Sequence, residues 1–136
     1  MMKSIAIATA SLAMLAAPAL HAQEASVSKG EAKLAKLIEG RVAGEPKSCI
    51  TMIGSRPMTK IDDTALVYRA GNTVWVNRTR TPEAIDDNDY LVIRKFGTSQ
   101  LCKSDNVTTY DRSGNFFSGV IFLDDFVPYR EPDAEG

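Results

Sequence analysis

Hydrophobic and polar residues follow two different patterns along this chain, and the change falls near Cys49. In the segment "EAKLAKLIEGRVAG", the apolar residues at helical spacing are Leu34, Leu37, Ile38 and Val42. This spacing, with charged residues between, predicts one short amphipathic helix. Gly40 is a helix-stop signal, and Pro46 prevents helix soon after. About three helical turns are marginal alone in water, so this helix needs a surface to pack on.

From Cys49 onward, short runs of β-branched and aromatic residues alternate with glycine, proline, asparagine and aspartate. These are strand and turn signals. The predicted strands cover about residues 49–53, 64–69, 73–78, 90–96, 106–111 and 116–123. Two hairpins are predicted, one through Gly71 and Asn72 and the other through residues 113–115.

The aromatic residues place the core in the sheet, because all ten lie between Tyr68 and Tyr129. In "FFSGVIFL", residues 116–123, both alternating faces are largely apolar, which predicts a strand covered on two sides, with a bend or bulge at Gly119. The predicted fold class is therefore α+β and mostly β. It has one N-terminal amphipathic helix packed on a curled antiparallel sheet of about five to six strands, or a partly closed barrel.

The first segment, "MMKSIAIATASLAMLAAPALHAQ", has the layout of a secretory signal peptide, with Lys3, an apolar run at 5–17 and small residues after Pro18. Cleavage after Ala22 fits best, and Ala19 is the alternative. The apolar run of thirteen residues is shorter than the roughly 20 that span a bilayer. We expect a protein of the periplasm or the extracellular space, with no membrane insertion after cleavage.

A chain of 136 residues is the size of one domain. We divide it into the signal peptide (1–22), a polar lead-in with the helix (23–48), a β-rich core (49–130) and a disordered acidic tail (131–136). The formal charge is −1, and no lysine- and arginine-rich block occurs, so nucleic acid is not an expected partner.

Export also bears on the two cysteines, Cys49 and Cys102, because disulfides persist in oxidising compartments. A disulfide between them within one chain would close a loop and stabilise the folded protein by on the order of 4 kcal/mol. Two free thiols and an intermolecular bridge are the alternatives.

The residues available for chemistry exclude several classes of enzyme. The one histidine, His21, lies in the segment that export removes, which excludes catalytic triads, histidine general bases and histidine-containing zinc sites from the mature protein. No phosphate-binding or dinucleotide-binding glycine pattern occurs, so no cofactor is expected. The acidic stretch "AIDDNDYL" lacks the glycine and glutamate of an EF-hand, so no metal site is predicted.

Candidate ligand contacts come from arginine, aspartate and aromatic residues. Arg56 and Arg78 could bind an anionic group, although arginines in strands more often form a solvated face. Asp105 is a turn residue with a ligand role as its alternative. Tyr68 and Trp75 could form a sugar or peptide platform, but a core position is the more common role for such residues.

Four segments together resemble a family of small exported proteins of Gram-negative bacteria: "LAKLIEGRVAGEPKSCI", "DDTALVYRAGNTVWVNR", "DYLVIRKFGTSQLCKSDNV" and "YDRSGNFFSGVIFLDDFVPYR". The matching positions are Arg41, Cys49, Ile50, Asn77, Arg78, Leu101, Cys102, Asp105, Phe126, Pro128 and Tyr129. The resemblance implies export and a Cys49–Cys102 pair, and it carries no activity. The chain departs from the family pattern at "TMIGSRPM", where a more basic stretch is expected.

Three functional hypotheses follow. The first is a non-enzymatic binding or interaction module whose partner is an envelope protein. The second is an inhibitor of a hydrolase such as a lysozyme or a protease, which would insert the loop "GSRPMTK" or "DRSGN" into its target. The third is a small carboxylate-dependent hydrolase, which needs two acids about 5 to 9.5 Å apart in one cleft.

Overall fold

The computed structural model describes residues 28–95 and 98–133. In these ranges the chain forms the helix α1 (Lys29–Leu37), a short 3-10 helix (Pro82–Ala84) and ten strands. The strands are β1 (Val42–Ala43), β2 (Cys49–Thr51), β3 (Thr59–Ile61), β4 (Ala65–Ala70), β5 (Thr73–Asn77), β6 (Asp89–Ile93), β7 (Gln100–Cys102), β8 (Asn106–Asp111), β9 (Phe117–Phe122) and β10 (Val127–Arg130). The predicted signal peptide and residues 134–136 of the predicted tail lie outside the described residues. No helix within these ranges is long and apolar enough to cross a bilayer.

The helix α1 begins at a serine cap and is shorter than its hydrophobic pattern predicts. The Ser28 Oγ accepts a hydrogen bond from the Glu31 N–H at 3.2 Å. Leu34 is the one residue that α1 fully buries. Gly40, with a positive φ of 72°, turns the chain away just after the helix. The assignment of Val42 to the helical stripe is therefore wrong, since Val42 lies exposed in β1.

The strands form three separate antiparallel sheets. The first sheet has the order β1-β10-β5-β4-β3, the second has the order β6-β8-β9, and β2 pairs with β7 as a ribbon. The predicted mostly β, antiparallel fold with one helix is confirmed. The strands of the described residues are divided among three sheets, however, and they form no closed barrel. The sequence pattern misses β1, β3, β7 and β10, which have two to four residues each. An alternation of so few residues is too short to recognise.

The first sheet is the middle layer of the fold, and both of its faces are covered. Along β4, Val67 packs with Leu34 of α1, while the next residue, Tyr68, packs in a second cluster on the opposite face. That second cluster contains residues from the ribbon and the second sheet, including Leu101 and Ile121. The middle layer therefore separates the helix from the other two sheets.

Both predicted hairpins are confirmed. β4 and β5 pair antiparallel across Gly71, which has a positive φ of 57°. β8 and β9 pair across residues 113–115. The predicted irregularity near Gly119 is also confirmed: Thr109 faces Gly119 while Tyr110 faces Phe117, so one extra residue bulges from β9.

The disulfide between Cys49 and Cys102 is present in the ribbon, with the two Cα atoms 4.0 Å apart. The Lys103 N–H donates to the Ser48 carbonyl on one side of the pair, at 2.8 Å. The alternation of hydrogen bonds makes Cys49 and Cys102 a non-hydrogen-bonded pair, the position where facing Cα atoms come closest. The chain therefore holds neither free thiols at these positions nor an intermolecular bridge.

Candidate functional site: an outward aromatic face

The outer side of the second sheet carries exposed aromatic residues. On β9, Ile121 is buried, whereas the residues Phe117 and Phe122 are 56% and 40% exposed. The prediction that residues 116–123 are covered on two sides is wrong. The physical reason is that the second sheet is an outer layer. One of its faces packs on the core and the other meets solvent. Contiguous exposed apolar groups of this kind mark interaction sites.

Three aromatic rings form a row across the three strands of the second sheet. Tyr90 on β6 faces Tyr110 on β8, which in turn faces Phe117 on β9. The two tyrosine rings are stacked, with centroids 5.7 Å apart, and Phe117 meets Tyr110 edge-on at 6.0 Å. Cross-strand aromatic pairs stabilise a sheet, and here they also present ring surface to solvent. We name Tyr90, Tyr110 and Phe117 the outer aromatic face.

A cavity of about 400 Å³ lies beside the outer aromatic face. Its lining consists of Val92, Arg94, Ser104, Asp105, Asn106, Thr108, Tyr110 and Phe117. Guanidinium, carboxylate, amide and hydroxyl groups thus surround the exposed rings. An apolar centre with polar groups at its rim is the usual composition of a protein interaction site.

A partly buried polar network, in which Asp89 and Thr109 are buried and Ser118 is exposed, backs the outer aromatic face. The carboxylate of Asp89, which is buried in β6, accepts a hydrogen bond from the Ser118 hydroxyl. That hydroxyl is also hydrogen-bonded to Thr109 Oγ1 at 2.9 Å. The bulge in β9 turns Ser118 toward these partners, since Thr109 faces Gly119 and not Ser118. The three strands beneath the aromatic row are therefore tied together by side chains as well as by backbone hydrogen bonds.

The far end of β9 is closed by the segment that follows β5. The Arg80 N–H donates to the Phe122 carbonyl at 2.7 Å, and Thr81 Oγ1 accepts from the Phe122 N–H at 3.0 Å. The Arg80 guanidinium lies 5.7 Å from the centre of the Phe122 ring, at cation–π distance. The edge of β9 is thus capped at Phe122.

The three predicted ligand contacts do not come together. Asp105 lines the cavity beside the outer aromatic face, and its carboxylate also accepts the Cys102 N–H at 2.8 Å. Arg56 lies in a different groove. Arg78 binds Glu31 of the helix, at 2.5 and 3.2 Å. This hydrogen-bonded pair lowers the pKa of Glu31 and raises the pKa of Arg78. A ligand role for these three residues stays a prediction.

Several aspartates act as acceptors in turns. The Asp111 carboxylate accepts hydrogen bonds from the Ser113 side chain, from the Gly114 N–H and from Asn88, and these bonds lower the pKa of Asp111. The aspartates that accept at least one backbone N–H are Asp62, Asp86, Asp105, Asp111 and Asp124. Such bonds fit a structural role for these carboxylates. Within the described ranges, no group of three or more His, Cys, Asp or Glu side chains could hold a metal ion.

The aromatic row was not predicted from the sequence, which pointed instead to Tyr68 and Trp75. Tyr68 is buried in the core, and Trp75 is half-buried against the same cluster. The core position is therefore the correct one for both. The segment "YLVIRKF" does indicate part of the aromatic row. Tyr90 and Arg94 are an even number of residues apart, so they lie on the same face of an extended strand. Recognising it requires knowing that β6 pairs with β8.

A comparison with protein-family models, with curated proteins and with solved structures gave no match. These comparisons therefore assign neither a family nor an activity to the chain. The resemblance to exported proteins of Gram-negative bacteria stays a prediction. The outer aromatic face and its cavity are the features of the chain that best support a function.

Proposed function

We propose that the protein is a non-enzymatic binding module of the periplasm or the extracellular space, and that it binds a partner protein through the outer aromatic face. The observation that carries the proposal is the row formed by Tyr90, Tyr110 and Phe117, which presents aromatic surface to solvent beside a polar-rimmed cavity. The disulfide supports the proposed location outside the cytoplasm, because such bonds persist where the environment is oxidising.

The energetics favour an interface. Leaving Phe117 largely exposed to water forgoes part of the roughly 1.5–3 kcal/mol that full burial of such a side chain provides. A partner that covers the ring recovers this energy. The cross-strand pairing and the Asp89 network fix the rings before binding, so little conformational entropy is lost on association.

The extent of the exposed apolar surface favours a protein over a small ligand. Exposed phenylalanines occur at both ends of β9, with Phe117 at its first position and Phe122 at its last. The surface thus runs the whole length of a six-residue strand. Aromatic residues and arginine are enriched at protein interfaces, and Arg94 and Arg80 lie next to these rings.

The test is affinity capture from periplasmic extract with the mature protein and two single variants. Phe117→Ser removes a ring of the outer aromatic face. Phe116→Ser is the matched control, because Phe116 is 60% exposed in the same segment but lies over its own turn, near Gly114. We expect a protein that wild type and Phe116→Ser retain and that Phe117→Ser loses. Equal retention by all three proteins would contradict the proposal.

The inhibitor hypothesis is a second candidate, and one contact favours it. The buried Tyr68 hydroxyl accepts the Ile53 N–H at 2.7 Å and so anchors the base of the exposed segment 53–57. A loop fixed at its base is suited to insertion into a cleft. Inhibition of a lysozyme or a protease at micromolar concentration, lost on Arg56→Ala, would support this candidate. Lack of inhibition across a panel of both classes would count against it.

A further inference from the structure

The edge of β6 has backbone groups that point away from the sheet. The Arg112 N–H donates to the Asn88 carbonyl at 3.2 Å, and Asp89 pairs with Asp111 in the same register. Because hydrogen-bonded pairs alternate in an antiparallel ladder, residues 88, 90 and 92 bond to β8. The N–H and C=O groups of Asp89, Leu91 and Ile93 therefore point outward.

One end of this edge is closed and the other is open. The Lys60 ammonium group donates to the carbonyl oxygens of Asp86 at 2.9 Å and Asp87 at 3.0 Å, and also to that of Asp89. Among the described residues, none bonds to the outward backbone groups of Leu91 and Ile93. An open edge of this kind is a template for another strand.

A groove of about 320 Å³ runs beside the open edge. Its lining combines apolar and cationic residues, namely Met52, Arg56, Pro57, Met58, Lys60, Tyr90, Leu91, Ile93 and Arg112. None of these described lining residues is acidic. The groove thus brings outward backbone hydrogen-bonding groups together with apolar and cationic side chains.

We propose that this groove binds an extended acidic segment of a partner polypeptide, which adds as a strand to β6. The outward groups of Leu91 and Ile93 would pair with the backbone of the segment. Its carboxylates would reach Arg56 and Arg112, for which a planar guanidinium is well suited. A second copy of this chain fits poorly, because it would bring the same cations to the contact.

This inference goes beyond the proposed function, because it concerns a different surface and specifies the conformation and the charge of the ligand. The two surfaces adjoin at Tyr90, which lines the groove and stacks on Tyr110. One partner could therefore contact both. Each proposal can nevertheless fail alone, since Arg56 and Arg112 are not part of the outer aromatic face.

The test begins with a display library of random peptides of about ten residues, the upper end of usual strand lengths, selected on the mature protein. We expect enrichment of peptides that alternate Asp or Glu with Val, Ile or Thr. The best peptide is then synthesised with a fluorescent label, and its affinity is measured by anisotropy. The double variant Arg56→Glu/Arg112→Glu should weaken binding by at least about tenfold. Arg69→Glu, the control on exposed Arg69 of β4, should change it by less than about twofold.

Two further measurements separate strand addition from simple charge attraction. A peptide with the same side chains and N-methylated amides should bind at least about tenfold more weakly, because it loses backbone donors. Saturating peptide should slow hydrogen exchange of the Leu91 and Ile93 amides by at least about tenfold. Phe117→Ser should leave the peptide affinity unchanged.

Any of these results would overturn the inference: selected peptides without acidic enrichment, equal binding by the double variant, equal binding of the N-methylated peptide, or no added protection at Leu91 and Ile93. Loss of peptide binding on Phe117→Ser would move the peptide to the outer aromatic face and would also overturn it. A single-stranded oligonucleotide that displaces the peptide at equal affinity would make the groove a general anion site, which contradicts strand addition.

Discussion

Cys49 faces Cys102 across the β2–β7 ribbon, and their sulfur atoms are bonded over a separation of 53 residues. We predict that the mass of the non-reduced protein is that of the dithiol less two hydrogens. Cys49→Ser and Cys102→Ser should lower the free energy of unfolding by about 2–5 kcal/mol each and by equal amounts, because either opens the same loop. Denaturant unfolding of both variants and the double variant measures this. Thiol labelling of both cysteines without reductant would contradict it.

Glu31 and Arg78 connect the helix to the end of β5, and their contribution depends on pH. The hydrogen bond from Arg78 lowers the pKa of Glu31, so the folded state favours the ionised carboxylate. The stabilisation is present above the unfolded pKa and is lost as pH falls through the lower, folded pKa. Both side chains are about half exposed, so Glu31→Gln should cost at most about 1 kcal/mol at neutral pH.

The difference in unfolding free energy between Glu31→Gln and wild type should shrink as the pH falls from about 5 to about 3. It should also shrink in high salt. Urea unfolding at a series of pH values measures it. Glu39→Gln is the control, because Glu39 is exposed and forms no ion pair with the described residues. A pH-independent difference, or an equal effect in the control, would show that Glu31 does not act through Arg78.

Gly30 brings the first turn of α1 against the residues before β4. A Cβ at residue 30 would lie 2.8 Å from the Asp62 carbonyl oxygen and 2.9 Å from the Thr64 Cβ. Helix propensity alone predicts that Gly30→Ala stabilises the protein by up to about 1 kcal/mol. We predict the opposite sign, a loss of about 1–3 kcal/mol, because the added methyl group has no space.

Thermal or denaturant unfolding of Gly30→Ala shows whether the substitution stabilises or destabilises the protein. The matched double variant Gly30→Ala/Thr64→Ala should be less destabilised than the sum of the single variants, since it removes part of the clash. Stabilisation by Gly30→Ala would show that the helix can move away from Thr64.

Ser118 supplies a hydrogen bond to a buried carboxylate. Ser118→Ala would remove that donor from the Asp89 carboxylate. We predict a loss of about 0.5–1.5 kcal/mol of unfolding free energy, because Ser118 is exposed and water can partly replace its hydroxyl. Ser55→Ala in an exposed loop is the control and should have little effect. A loss of unfolding free energy below about 0.5 kcal/mol is usual for surface substitutions. Such a result would mean that the hydrogen bond from Ser118 to Asp89 does not stabilise the fold.

The longer strands and both hairpins could be predicted because their patterns are local. Gly71 and the residues 113–115 specify turns by their own conformational preferences, and the strands on either side show a recognisable composition. The three-sheet arrangement could not be predicted, because it depends on pairs such as Val42 with Arg130, which are distant in sequence. The disulfide was predictable because the chain has only two cysteines.

The outer aromatic face escaped prediction for a related reason. Residues 116–123 are apolar on both faces of the strand. This pattern leads to burial on both sides only if other parts of the protein cover each side. Phe117 and Phe122 stay largely exposed among the described residues. Ala65 and Leu66 on β4 are buried, Ala65 in the cluster that contains Leu34 of α1 and Leu66 in the cluster on the opposite face. Sequence periodicity identifies apolar faces, and tertiary packing decides which of them remain exposed.

The most direct test of the binding function is site-specific photo-crosslinking in cells of a Gram-negative host. A photoreactive phenylalanine analogue replaces Phe117 in one protein and Val42 in another, because Val42 is also exposed but lies in the first sheet. We predict a covalent adduct with a partner protein from position 117 and none from position 42. No adduct at position 117, or the same adduct from both positions, would contradict the proposed role of the outer aromatic face.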